Sequence, residues 1–130
     1  ALRGRYQIWT AVVISSVLFG SVHILNLFTT GHVFQSAVQA TTATLSGFVF
    51  AAMLLRTGSI IVPMIYHALW DFGTFTLAGS VAGISAGAAP AAEPSTLRYF
   101  FPMLLVLPNF LYALWLLKNL PQHPEAMARA

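Results

Sequence analysis

The chain has 130 residues, of which 58% are hydrophobic and only 7% are charged. A soluble domain carries about a quarter charged residues, so a water-exposed globule is excluded for want of polar surface and the bilayer is the expected solvent. The net charge of +3 comes with no basic patch rich in aromatic residues, which argues against a nucleic-acid partner, and the absence of cysteine removes disulfides and thiolate metal sites.

A helix needs about 20 apolar residues to span the hydrocarbon core. Four stretches qualify: Ile8–Phe28, Ala37–Leu55, Ser59–Ala78 and Leu97–Leu117. The predicted fold is therefore all-α, a polytopic membrane helix bundle with four transmembrane helices in a single domain over 1–130. Ahead of the first span, "ALRGRYQ" reads like the end of one element leading into another and begins with Ala1 rather than Met. The chain is thus expected to be a fragment of a larger bundle, without its N-terminal part. The first apolar stretch is too long for a signal peptide and lacks a small-residue cleavage site.

The first connection, Thr29–Ser36, carries Gly31 and His32. The second, "RTGS" at Arg56–Ser59, is tight, and Gly58 can take the positive φ it requires. So short a link predicts that the second and third spans pack side by side and antiparallel. The third connection, 79–96, is rich in small residues, with Gly79, Gly83 and Gly87 recurring every four positions. That recurrence reads as a linker or an extension of the third span rather than as a close helix contact. A polar tail occupies 118–130. Arg3, Arg5, Arg56, Lys118 and Arg129 fall on one side of the zigzag and only Arg98 on the other, which predicts a multi-pass protein of the cell membrane with both termini cytoplasmic.

Within the spans the polar residues fall into stripes at helical spacing. The first span carries Ser16, Phe19, His23 and Asn26; the second carries Gln39, Thr42 and Ser46; the third carries Ser59, Pro63, His67, Asp71 and Thr74. The fourth offers only Asn109 and Tyr112, beside Pro102 and Pro108, and reads as scaffold. Hydroxyls and amides serve as interhelical hydrogen-bond glue, but ionisable groups inside a membrane are costly and mark function. The chain has three acidic residues, and one of them, Asp71, lies a helical turn after His67, where the two side chains can meet. The expectation is that His23, His67 and Asp71 converge, with the two imidazoles within about 12 Å, a gap that one bound water or metal could bridge. His32 and His123 should stay outside the site. Pro63 should bend the helix just before His67.

Read residue by residue, this cluster also fits a transporter or ion-coupling subunit with a His-Asp proton relay, or a purely structural membrane partner. Transport favours inverted repeats and helices broken in both halves, and the sequence shows no repeat.

"FGSVH" fits an FxxxH motif over Phe19–His23, and "HALWD" fits an HxxxN/D motif over His67–Asp71. Together with "LLRTGSIIVPMIYHALWDF" they resemble the CPBP intramembrane proteases, which include type II CAAX prenyl proteases and the bacterial bacteriocin-processing Abi proteins. The resemblance covers about Leu2–Phe75 and rests on the order of the motifs and the turn between them.

It implies an intramembrane metalloendopeptidase cutting a peptide substrate beside the lipid bilayer. The substrate would be a prenylated CAAX-like sequence or a bacteriocin leader; bacteriocin self-immunity is another role of the family. His23, His67 and Asp71 would be catalytic and Phe19 supporting. His23 and His67 would bind or polarise a water directly or through a divalent metal such as zinc. The family's EExxxR motif, whose glutamate activates the water, is absent from these residues, and neither Glu93 in the third connection nor Glu125 in the tail could replace it. The 130 residues alone are therefore expected to be inactive.

Overall fold

The computed structural model describes residues 2–86 and 96–120, and all regular structure among them is helical. Helix α1 (Leu2–His23) passes into a 3-10 turn (Ile24–Asn26) and the single turn α2 (Leu27–Thr30). Then follow α3 (Val33–Thr57), α4 (Ile61–Ala86) and α5 (Thr96–Lys118). Tyr6–Thr30, Val33–Thr57 and Phe100–Lys118 are each long and apolar enough to cross a membrane. At 26 residues, α4 is about 39 Å long, which gives it the length of a fourth crossing. Val13, Ile14, Val17, Leu18 and Val22 on α1, and Met64, Ile65, Leu69 and Phe72 on α4, lie exposed. That is the outward face expected where lipid replaces water.

The bundle is organised around α3, against which α1, α4 and α5 all pack. Helices in lipid gain little from the hydrophobic effect and associate through close contact of small residues, and the α1–α3 seam is built that way. A methyl group on Gly47 would come within 2.7 Å of the Ser16 Cα, and one on Gly20 would overlap the Thr44 hydroxyl. Toward the Arg56 end of α3, the seam opens into a core of Val12, Val49, Ala52, Ala113 and Leu117, with Phe48 and Trp9 packed on it. Helix α5 runs parallel to α3, as shown by Phe34 against Phe100, Phe48 against Phe110, and Arg56 on the Leu116 carbonyl.

Arg56 ties the two helices at that end. Its guanidinium donates to the carbonyls of Leu116 (2.8 Å) and Asn119 (2.9 Å) where α5 ends and α-helical partners run out; Leu116 also accepts from the Asn119 N–H at 3.2 Å. The turns match their glycines: Gly31 and Gly58 close α2 and α3 with φ of 69° and 66°.

Several details depart from the sequence reading. The first loop shrinks to Gly31 and His32 because helical structure continues to Thr30. Helix α4 begins at Ile61, with its first amide donating to the Ser59 hydroxyl, so Pro63 sits in the first turn. An N–H there has no intrahelical partner to lose, and the expected bend before His67 has no cause. Helix α4 also continues past Ala78 to Ala86 through Gly79 and Gly83. Two glycines cost a helix about 1 kcal/mol each, and the first proline after Pro63 is Pro90, so the stretch from 79 to 86 is helix rather than loop. Gly87, the rest of the third connection to 95, and the tail from Pro121, including His123, lie outside the described residues.

Candidate active site

The polar stripes of α1, α3 and α4 turn toward one cavity of about 500 Å³. Phe19 and His23 line it from α1, and Gln39, Thr42 and Ser46 from α3. His67, Asp71 and Thr74 line it from α4. His32 is exposed and is not part of the lining.

Phe19 holds the centre of the site. Its ring lies 4.9 Å from the His23 ring and 5.5 Å from the His67 ring, centroid to centroid. The two imidazoles therefore lie within the sum of those lengths, inside the separation expected from the sequence. The spacing in FxxxH has a further use, because Phe19 is four residues before His23. Its carbonyl accepts a hydrogen bond of 2.9 Å from the His23 Nδ1. A carbonyl only accepts, so Nδ1 carries a proton, and in the neutral imidazole Nε2 keeps its lone pair.

On α4, His67 Nε2 stands 3.7 Å from the Asp71 carboxylate, with 36% and 47% of the two side chains exposed. That distance exceeds a hydrogen bond. The two side chains face each other on the cavity wall, open enough for water or substrate to enter between them. His67 is held instead by rings, with Phe50 at 5.3 Å and tilted and Phe19 edge-on.

The structure adds residues that the stripes did not mark. Phe50 packs on Phe19, His67 and Tyr66, and Tyr66 and Trp70 join the lining. An aromatic residue in an apolar span offers no contrast, although Phe50 does continue the α3 stripe one turn beyond Ser46. Helix α5 is more than scaffold, since Pro102, Val106 and Asn109 form a wall of the cavity. Ser16, placed on the α1 stripe by spacing, leaves it. It is 1% exposed, pressed against Gly47, and its hydroxyl makes no hydrogen bond.

No three His, Cys, Asp or Glu side chains among the described residues converge closely enough to hold a metal ion. His23, His67 and Asp71 share a cavity without forming a ligand set, so these residues do not by themselves make a zinc centre.

A family model described as type II CAAX prenyl endopeptidase Rce1-like matches residues 1–73, which include both motifs and every residue of the His-Asp cluster. Comparison with curated proteins and with solved structures gave no match.

Proposed function

The chain belongs to the Rce1-like family of type II CAAX prenyl endopeptidases, and from that premise we propose that His23, His67 and Asp71 are its contribution to a peptide-hydrolysing site inside the membrane. The observation that carries this reading is the placing of Phe19 against both imidazoles, which keeps His23 and His67 on one cavity beside Asp71. Water bound between the histidines would accept from one and donate to the free Nε2 of the other. The proton it gives up on attack would pass to a carboxylate general base. Among the described residues Asp71, beside His67, is the one carboxylate on the cavity lining, and the glutamate of the family's EExxxR motif fits the role of base. His67, aligned by the neighbouring Asp71 charge, would donate to the oxyanion that forms on the scissile carbonyl. A zinc ion would supply a Lewis acid and an acidic bound water, but it would need at least one donor from beyond the described residues.

The family name points to a prenylated CAAX-like peptide as substrate, with a bacteriocin leader as the alternative. Both termini are proposed to be cytoplasmic. The test uses the full-length gene product in liposomes with a quenched-fluorescent farnesylated CAAX peptide, or a mixed-sequence peptide library where that peptide is not cut. His23→Ala and His67→Ala should each lower turnover by at least about a hundredfold, the usual loss for an acid–base or electrostatic group. Full activity without His67 would refute the assignment.

A further inference from the structure

The chemistry above uses one end of the cavity and leaves the amides of α3 without a task. Gln39 Oε1 accepts from Asn26 Nδ2 at 3.0 Å, so its amide is fixed with the oxygen occupied and the NH2 group left over. Gln35, one turn earlier on the same face, and the Trp70 indole N–H, facing from α4, make no hydrogen bond among the described residues. Gln39 is exposed and Gln35 half-buried, so these amides face the open cavity with N–H groups that water or a ligand can accept from.

Their placement indicates the shape of that ligand. The α3 lining runs from Phe50, which touches His67, to Gln35. At about 1.5 Å per residue that is about 22 Å, the length of roughly six residues of extended chain. The donors lie toward the end away from Phe50. Among the described residues the lining has no Lys or Arg, and amide and indole N–H donors suit neutral carbonyls.

We propose that Gln39, with Gln35 beside it, is a substrate-binding residue whose amide N–H donates to a backbone carbonyl of a peptide lying extended along α3, on one side of the bond to be cut. This rests on the endopeptidase reading. It adds a subsite that recognises main chain and is therefore tolerant of side-chain sequence. The hydrogen bond from Asn26 orients the donor before substrate arrives, which reduces the ordering cost of binding.

Gln39→Glu tests it, because a carboxylate still accepts from Asn26 but cannot donate. In the liposome assay, KM should rise about fivefold, the effect of losing one hydrogen bond, with kcat within twofold and the melting temperature in detergent unchanged. Asn26→Leu removes the bond that orients the donor, so it should lower the melting temperature and also raise KM, by about two- to threefold, less than Gln39→Glu. An unchanged KM in Gln39→Glu, or a loss confined to kcat, overturns the proposal. Should Gln39→Glu not fold, Gln35→Leu breaks no internal hydrogen bond and should raise KM about threefold; an unchanged KM there also overturns it. Failure of the endopeptidase reading looks different, since the wild-type protein would then cut neither probe or would cut without His67.

Discussion

Replacing Gly20 by alanine tests whether the α1–α3 seam sets the position of the site. A methyl on Gly20 would stand 2.6 Å from the Ala40 carbonyl oxygen and 2.9 Å from the Thr44 nitrogen, and would overlap the Thr44 hydroxyl. The hydroxyl could rotate, although it donates to the Ala40 carbonyl at 2.9 Å. The backbone atoms cannot, so α1 must withdraw from α3 by several tenths of an ångström along a seam where contact is the main source of association. Overpacking of this kind costs about 1–3 kcal/mol, against which the better helix propensity of alanine returns about 1 kcal/mol. The expected net loss is about 0–2 kcal/mol.

Gly73 provides the control. A methyl there meets nothing within 4 Å, so Gly73→Ala should gain about 0.5–1 kcal/mol from propensity alone. Reversible unfolding in mixed SDS micelles, followed by far-ultraviolet circular dichroism, would measure both. His23 follows Gly20 by less than a turn, so Gly20→Ala should also lower activity in proportion to the displacement. Equal stability of the two alanine variants would show that the seam is not close-packed as described.

Arg56→Met removes both charged hydrogen bonds that close α5 and should cost about 2 kcal/mol in the same unfolding assay; no change would mean the cap is satisfied otherwise. Asp71→Asn should keep turnover within about tenfold of wild type, because an amide can still orient His67 by hydrogen bonding, whereas Asp71→Ala should fall further; equal losses would show that the carboxylate acts by charge alone. In intact cells, cysteine at position 32 should react with an impermeant maleimide and cysteine at 57 should not, following the Lys/Arg asymmetry; the opposite pattern inverts the topology. The 130 residues by themselves should not cleave peptide, because Asp71 is the one carboxylate among the described residues of the lining; measurable turnover that depends on His67 would show that no further carboxylate is required.

What the sequence made legible were its contrasts. His23, His67 and Asp71 stand out because ionisable groups are rare in apolar spans, and they do share a cavity. Gln39, Thr42 and Ser46 were visible for the same reason. Phe50, Tyr66 and Trp70 were not, because a ring that walls the site and a ring that faces lipid read alike when most neighbours are apolar. The 3-10 turn after His23 was also hidden, since no proline or glycine announces it; it is held from outside by the Asn26–Gln39 bond. Ser16 shows the converse failure. Its polarity suggested the site face, yet its place opposite Gly47 requires small volume. Pro63 misled because its effect depends on where the helix begins, two residues earlier, and not on its own chemistry.

Helix α4 leaves the rest of the bundle at Gly58 and, among the described residues, finds its packing mainly on α3, with the Phe19 and Phe50 rings meeting it at His67. Mechanically it is a lever with its pivot at the turn. His67 lies nine positions along the arm, about 14 Å from the pivot, so a tilt of about 5° carries its imidazole roughly 1.2 Å. Misplacement of about 1 Å can cost a reaction a hundredfold. The stiffness of one short turn and the grip of two phenylalanine rings therefore set the alignment of the two histidines, and a bilayer whose thickness tilts α4 would act on the chemistry without touching the site.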